Sequence, residues 1–202
     1  EGADEAFAGY DSFKEAHIRR RMSRSARAGS ALQRLYPYLA DSPMRSGAMA
    51  QHHFGTGLTD HHQPWFALAT RMATTRRTLN YLAPEPRQMA LGWDPQAALR
   101  RQLPDGFDAW PPLARDQYVE ADTLMSGYLL STQGDRMAMA ASVEARFPYL
   151  DHRVLEFAAR LPDSWKLRGF TTKRILRSAA ADLLPREILE RPKRGFPVPF
   201  AD

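Results

Sequence analysis

Residues 134–162 read GDRMAMAASVEARFPYLDHRVLEFAARLP, and this stretch decides the fold class. The small and apolar residues of 137–147 predict a helix that stops before Pro148, because the residue preceding a proline disfavours helical backbone. Asp151 is a suitable N-cap for a second helix over 151–160, which the following Leu-Pro pair closes. The stretch therefore predicts two helices joined by a proline turn.

Helical spacing also dominates the rest of the chain. Apolar side chains recur every three or four residues over 4–25, which predicts one or two amphipathic helices. Further helices are predicted over 30–39, 65–79, 94–103 with Asp94 as N-cap, 113–131, from a Thr171 or Thr172 cap to Pro185, and over 185–192. Residues 41–62 are predicted to be a loop, and only the short segments VPF and SWKL are candidate strands. The fold class expected from these patterns is mainly α.

Composition limits the classes of site that the chain can hold. The 202 residues include no cysteine, which excludes disulfides, thiolate zinc sites and a cysteine nucleophile within this sequence. No apolar run approaches the length of a membrane span, so a soluble protein with no membrane partner is expected. The formal net charge of +5 suits nucleic acid, a membrane surface or a polyphosphate substrate and does not choose among them.

The first ten residues, EGADEAFAGY, crowd carboxylates at the start of a helix. Glu1 and Asp4 lie three residues apart and so share one side of it. Carboxylates there can simply complement the helix dipole. They could also hold magnesium bound to a polyphosphate, with Gly2 and Ala3 allowing a ligand close to the backbone.

The last motif, RPKRGFPVPF, places Lys193 and Arg194 on a loop stiffened by prolines. A lysine held in one place can neutralise the charge of a leaving group. A solvated basic turn ahead of a proline-rich tail is the other interpretation, and the residues alone favour neither.

Between these two motifs, Glu144 and Arg146 lie close to Asp151 and downstream of Arg136. Two carboxylates and a guanidinium this close can form a buried ionic network. The same groups could instead orient a nucleophile or a substrate carboxylate.

Two further clusters are polar but less specific. Paired histidines, His52/His53 and His61/His62, flank a glycine-rich turn beside Asp60, where a polar loop is favoured over a zinc or nickel site because the spacing matches no recognised ligand pattern. The run RRRMSRSAR at 19–27 could bind nucleic acid or acidic lipid, but it has no interleaved aromatic residue. A solvated basic helix end is the favoured interpretation, and no nucleic-acid partner is expected.

Three motifs in order resemble the synthetase domain of glutamine-dependent asparagine synthetases. They are EGADEAFAGY at 1–10, DRMAMAASVEARFPYLDHRVLEFAARLP at 135–162 and KLRGFTTKRILRSAAADLLPREILERPKRGFPVP at 166–199. The resemblance covers residues 1–25 and 127–200. Residues 30–126 match only as a helical insertion of the kind that bacterial members carry.

The resemblance implies that this chain is the carboxyl-terminal portion of an asparagine synthase domain, with an acidic motif helix at 1–25, a helical insertion at 26–126 and a helical part at 127–202. The parent fold would be an α/β domain of the adenine-nucleotide-hydrolase (HUP) type, whose parallel sheet and serine- and glycine-rich ATP loop precede this segment. A glutaminase half with a cysteine nucleophile would precede that. The segment alone is expected to be inactive and to be part of a cytoplasmic enzyme, with a homo-oligomer possible.

The resemblance also assigns residues. Glu1 matches a glutamate at the adenylate that positions or deprotonates ammonia, and Asp4 matches an aspartate at Mg²⁺ and pyrophosphate. Lys193 matches a lysine that faces the departing pyrophosphate. Glu144 matches a glutamate that helps deprotonate an amine in β-lactam synthetases and elsewhere holds Arg146. Phosphate or substrate-carboxylate binding is assigned to the arginines Arg136, Arg146 and Arg194, and Asp151 is expected to be structural.

The reaction that the resemblance implies is ATP- and Mg²⁺-dependent amidation of aspartate through β-aspartyl-AMP, with ammonia from glutamine. Two alternatives stay open. A related enzyme could form a β-lactam or a peptide macrocycle, or amidate another carboxylate. The chain could also be a basic helical binding module without catalysis of its own.

Overall fold

The computed structural model describes residues 1–22, 31, 35–36, 52–55 and 57–191. Within these ranges the chain is mainly helical, as predicted, and its only strand-like pairing is a single bridge between Arg168 and Thr171. The α-helices in these ranges are α1 Ala3–Ala6, α2 Asp11–Met22, α3 Ala69–Arg76, α4 Pro84–Leu91, α5 Pro95–Gln102, α6 Pro112–Glu120, α7 Arg136–Ala140, α8 His152–Arg160, α9 Asp163–Lys166, α10 Arg174–Ala179 and α11 Arg186–Glu190. A π-helix over Ala121–Asp135 joins α6 to α7, and short 3-10 turns include Phe66–Leu68 and Pro148–Leu150. None of the described helices is long and apolar enough to cross a bilayer.

The helix that begins at Pro112 continues to Ala140, whereas the sequence predicted an end near residue 131 and a new helix over 137–147. The hydroxyl of Thr123 donates to the Val119 carbonyl at 2.6 Å, so this polar residue is accommodated inside the helix. The predicted end at residue 147 is wrong because Ser142 adopts a positive φ of 55°. The amides of Ser142 and Val143 then bond back to the last turn, in the Schellman pattern that ends a helix.

Two of the predicted helix caps are confirmed. The Asp94 carboxylate accepts hydrogen bonds from the amides of Gln96 and Ala97 at 2.9 and 3.1 Å, and that of Asp151 accepts from Arg153 at 2.8 Å. The cap at Thr171 or Thr172 is wrong. Lys173 instead occupies the N-cap of α10 with a φ of 49°, and the helix ends at Ala179 rather than near Pro185.

Four other predictions concern segments whose outcomes differ. The SWKL segment is not a strand, because α9 begins directly after Pro162 and includes three of its residues. Most of the predicted helix over 30–39, much of the 41–62 loop and the VPF segment lie outside the described residues. In the described part of that loop, residues 52–55 are helical and Leu58–Asp60 form a 3-10 turn, so the prediction of a loop is wrong there.

Part of the core packs against α2, and it corrects the interpretation of the first two residues of the basic run. Arg19 is fully buried, and its guanidinium donates to the carbonyls of Phe54 and Phe66 at 3.0 and 3.1 Å. Arg20 makes two hydrogen bonds to the Asp116 carboxylate, at 2.5 and 2.6 Å. Both guanidinium groups also stack on the ring of Phe66. Arg19 and Arg20 are therefore structural and do not form a solvated helix end.

Buried carboxylates complete this polar core. The Glu15 carboxylate accepts hydrogen bonds from Tyr36 and Thr70, at 2.5 and 2.7 Å. Glu120 accepts two bonds from Arg71. Burial raises the pKa of Glu15 and of Asp116, while the hydrogen bonds that each receives oppose that shift. The network links α2, α3 and α6, and so fixes the helix on which α1 rests.

Candidate functional site

The acidic first turn is packed tightly into the molecule. Gly2 has a φ of 91°, and a Cβ atom there would lie 2.4 Å from Leu150 Cδ2. The Phe7 ring meets the Tyr149 ring edge to face, with the centroids 6.1 Å apart. Gly2 is thus required by backbone conformation and by contact with the Pro148–Leu150 turn, a structural reason that the sequence interpretation of a close ligand did not include.

Asp4 forms the central contact of the site. Its Oδ2 atom lies 3.0 Å from Lys173 Nζ at the start of α10, and both side chains are partly exposed. Gly9 lies directly beneath this pair, because a Cβ atom on Gly9 would come within 2.1 Å of Asp4 Oδ1 and of Lys173 Cε. Two segments far apart in the sequence are brought together here to form a partly exposed pair of opposite charges.

Lys173 is the residue that the sequence interpretation missed. Its backbone amide donates to the Phe7 carbonyl at 3.2 Å while its side chain reaches Asp4. The chain has only four lysines, Lys14, Lys166, Lys173 and Lys193, and scarcity was the one signal that could have drawn attention to it. Its left-handed backbone, uncommon for a residue other than glycine, is a second unusual feature.

Beside Asp4, the buried Glu5 faces the interior. Its Oε1 atom accepts a hydrogen bond from the Tyr10 hydroxyl at 2.6 Å. Burial raises the pKa of Tyr10, and the hydrogen bond to Glu5 raises it further. Glu1 is exposed at the start of the turn. The three acidic residues of the motif therefore divide into one inward-facing anchor and two that solvent reaches.

Glu144 and Arg146 pair with each other, at 2.5 Å, and both side chains are about three-quarters exposed. Of the two alternatives considered for this segment, the buried ionic network is therefore not formed by this pair. Asp151 accepts hydrogen bonds from the guanidinium of Arg153 at 2.6 Å and from its backbone amide at 2.8 Å, and both lower the pKa of the Asp151 carboxyl. The bond from the backbone amide confirms the role of Asp151 as a helix cap. Arg136 is exposed on α7.

The structure therefore brings only part of the predicted site together. The segment carrying Glu144 and Arg146 leads into the Pro148–Leu150 turn that packs on α1, but neither side chain bonds to the acidic turn. Lys193 and Arg194 lie outside the described residues, so their assignment stays a prediction.

The carboxylates suit a metal that arrives with its substrate. Among the described residues no group of three or more His, Asp or Glu side chains could hold a metal ion, and this includes the described histidines. Mg²⁺ is commonly bound by one or two carboxylates together with substrate phosphates and water. The donors available at the acidic turn, Asp4 and the exposed Glu1, fit that mode and do not form a cage made of protein ligands alone.

A separate cavity of about 1160 Å³ opens beside α3 and α4. It is lined mainly by apolar side chains, including those of Trp65, Met72, Trp93 and Leu124. No predicted site residue in the described part of the chain lines it. The candidate site is therefore the acidic turn with Lys173, and the cavity is a distinct feature.

Comparison with known proteins gives consistent results. The family model described as "Asparagine synthase" matches residues 1–202. The chain is 30% identical over 203 residues to asparagine synthetase [glutamine-hydrolyzing] 1 of Bacillus subtilis, covering 99% of this chain and 30% of that protein. It is 43% identical over 91 residues to a putative asparagine synthetase of Mycobacterium tuberculosis, covering 45% of this chain and 14% of that protein.

A fungal protein is also similar. Amidase chyE of Penicillium rubens is 28% identical over 218 residues, which cover 97% of this chain and 31% of that protein. The chain thus spans less than a third of the length of these curated relatives. No solved structure matches it.

Proposed function

Because the chain belongs to the asparagine synthase family, we propose that it forms the carboxyl-terminal part of a synthetase domain that adenylates aspartate and converts it to asparagine. The observation that carries the proposal is the pairing of Asp4 with Lys173 at 3.0 Å, at an acidic turn held rigidly by Gly2 and Gly9. A carboxylate beside a cation, both partly open to solvent, can bind a metal-phosphate group on one side and neutralise its charge on the other.

The proposed chemistry has two steps. An oxygen of the aspartate β-carboxylate attacks the α-phosphorus of ATP, and pyrophosphate leaves with the electron pair of the broken P–O bond. Ammonia then attacks the activated acyl carbon, AMP leaves with the C–O electron pair, and a base accepts the proton that nitrogen loses. Mg²⁺, when bound, offsets the negative charge of the phosphates.

The residues of this chain take the following roles in the proposal. Asp4 holds the metal-diphosphate group, and Lys173 orients the Asp4 carboxylate and adds positive charge beside it. Glu1, exposed at the same turn, positions or deprotonates ammonia. Lys193 and Arg194 neutralise the departing pyrophosphate. Glu144 keeps Arg146 extended toward a substrate carboxylate, as their 2.5 Å contact allows, and Arg136 binds phosphate or carboxylate.

The remaining parts of the proposal concern the parent protein. We place the ATP loop and parallel sheet of a HUP-type fold, and a glutaminase half that supplies ammonia, in the same polypeptide. The segment alone would then be inactive, with the 1–25 motif and the 127–202 helices completing the site and 26–126 inserted between them. A cytoplasmic enzyme and a possible homo-oligomer complete this proposal.

A second function is favoured by one observation. A protein that is similar over 97% of this chain carries the name amidase and not synthetase, which supports related amide chemistry as an alternative. An amide-forming enzyme that uses another carboxylate, including one that closes a lactam or a macrocycle, is therefore the second candidate. The nucleic-acid-binding alternative is weakened, because Arg19 is buried and Arg20 is paired with Asp116, which leaves Arg21 as the exposed arginine among the first three of the run.

The intact polypeptide can test this proposal. Pyrophosphate release should require ATP, Mg²⁺ and a carboxylate, and aspartate should give the highest kcat/KM in a panel that includes glutamate, other amino acids and larger carboxylates. Lys193→Ala should abolish adenylation while glutamine hydrolysis persists. Highest activity with another carboxylate would select the second candidate, and no acceptor-dependent pyrophosphate release would reject both.

A further inference from the structure

The backbone carbonyls of α1 accept hydrogen bonds from groups outside the helix. This one-turn helix presents four terminal carbonyl groups that need partners. The Ala3 carbonyl accepts from the Phe7 amide at 3.2 Å and the Asp4 carbonyl accepts from the Gly9 amide at 2.8 Å. Within the described part of the chain no backbone amide donates to the carbonyls of Glu5 and Ala6, and both accept from the same side chain of a distant helix.

That side chain is Gln117 on α6. Its Nε2 group donates to the Glu5 carbonyl at 2.5 Å and to the Ala6 carbonyl at 2.9 Å. Both amide hydrogens are thus used on the turn that carries Asp4. More than 100 residues of sequence separate Gln117 from these carbonyls, so the contact is a purely tertiary one.

A buried lysine fixes the orientation of the Gln117 amide. Lys166 Nζ, at the end of α9, donates to Gln117 Oε1 at 3.0 Å, and the Lys166 side chain is only 2% exposed. Because an ammonium group can only donate, it requires the amide oxygen on its own side. The amide NH₂ group is then directed at the Glu5 and Ala6 carbonyls. Burial lowers the pKa of Lys166, because an ammonium group inside the protein is costly, and the charge of Asp163 opposes this shift.

We infer that Gln117 and Lys166 are positioning residues for the acidic turn: they fix the backbone of α1 so that Asp4 meets Lys173 and the metal-diphosphate group at one defined position. The inference rests on the proposed function for its catalytic readout. Neither residue touches the reacting atoms. Lys173 holds the other side of the turn, because its backbone amide donates a hydrogen bond to the Phe7 carbonyl, so α1 is held in place from two directions.

The substitution Gln117→Glu separates positioning from folding. It keeps the shape of the side chain and gives Lys166 a stronger acceptor, so the buried ammonium group keeps a hydrogen-bond partner. It removes both donors and sets a carboxylate oxygen against the two carbonyls, which releases the turn. Lys166→Met removes the anchor of the amide while preserving side-chain length. Gln133→Glu is the matched control, because Gln133 is exposed on the π-helix that extends α6.

The test uses the intact polypeptide and measures ATP–pyrophosphate exchange as a function of Mg²⁺ concentration. Loss of a residue that orients a metal-binding group commonly costs about 10- to 100-fold. We expect Gln117→Glu and Lys166→Met to raise the half-saturating Mg²⁺ concentration or lower the exchange rate by at least about tenfold. Glutamine hydrolysis should stay near the wild-type value, the thermal midpoint should fall by only a few degrees because the two carbonyls lose their donors, and Gln133→Glu should match wild type throughout.

Two outcomes would overturn the inference. One is unchanged exchange kinetics in both variants, and the other is a loss of exchange that follows a matching loss of thermal stability and of glutamine hydrolysis.

A second readout keeps the inference testable if the proposed function fails. If wild type shows no exchange with any carboxylate, the proposed adenylation is wrong, but the role of Gln117 in holding α1 in place is not yet refuted. Hydrogen exchange of the Phe7 and Gly9 amides, which bond to the Ala3 and Asp4 carbonyls, then decides. Gln117→Glu should speed exchange at these two amides by about tenfold or more while the α2 amides stay protected. Unchanged protection would overturn the inference.

Discussion

Two regions of this protein use the same residue types for opposite purposes. Around α2, arginines and carboxylates are buried, and the pair Arg20–Asp116 is nearly closed to solvent. Around the Pro148 turn, Glu144 and Arg146 pair at the same 2.5 Å but are about three-quarters exposed. A charged cluster in the sequence is therefore not itself a site. The acidic turn lies between the two regions, rigid like the first and open like the second.

The largest effect on stability is expected from breaking the buried region. Arg20→Met would leave Asp116, 1% exposed, without its two hydrogen bonds and its counter-ion. Breaking a buried pair in this way costs roughly 3–5 kcal/mol of the free energy of unfolding, measurable by chemical denaturation. A loss below about 1 kcal/mol, the range of exposed pairs, would contradict the division between the two regions.

The same variant has a pH signature. Burial raises the pKa of Asp116, and removing Arg20 raises it further. A raised carboxyl pKa stabilises the fold below the unfolded-state value and loses that contribution as pH rises through the folded-state pKa. Wild type and variant lose this contribution equally until the pH reaches the raised pKa of Asp116 in wild type, so the deficit of Arg20→Met should grow as pH rises above that pKa. A deficit that is independent of pH would show that Asp116 stays equally ionised.

A smaller loss of stability is expected at the first turn. Gly2→Ala forces a side chain into a φ of 91° and against Leu150, at a cost of about 1–3 kcal/mol. The control is Gly106→Ala, which has a φ of 75° but no atom near an added Cβ. The difference between the two variants in thermal unfolding isolates the contact with Leu150. Equal losses would mean that backbone strain alone accounts for Gly2.

Gly9→Ala should affect activity more than stability. The atoms that an added Cβ meets are the ends of two flexible side chains, Asp4 and Lys173, which can move apart. We expect adenylation to fall by about tenfold while the free energy of unfolding changes by less than about 1 kcal/mol. An unchanged adenylation rate would indicate that the Asp4–Lys173 pair is not needed in that geometry.

The smallest effect belongs to the exposed region. A double-mutant cycle on Glu144→Gln and Arg146→Gln should give a coupling free energy of unfolding below about 1 kcal/mol, because solvent screens the pair. A coupling of 3 kcal/mol or more would place this pair with the buried network.

Local signals predicted local structure well. Asp94 and Asp151 begin helices as expected because a carboxylate before a helix satisfies amides within three residues. The failures occurred where distant contacts decide. Arg19 seemed a surface residue because the carbonyls that accept its hydrogen bonds, on Phe54 and Phe66, lie 35 and 47 residues away in the sequence. Lys173 was missed for the same reason, since only folding brings it to Asp4.

The central claim is that Asp4, held beside Lys173, contacts the metal-diphosphate group during adenylation. Its most direct test is ATP–pyrophosphate exchange by the intact polypeptide carrying Asp4→Asn, with the exposed Asp108→Asn as a matched control. The account predicts at least about a 100-fold loss for Asp4→Asn, as for removal of an electrostatic contact to the reacting group, with glutamine hydrolysis and the Asp108→Asn variant unchanged. Wild-type exchange in Asp4→Asn at every Mg²⁺ concentration would contradict it.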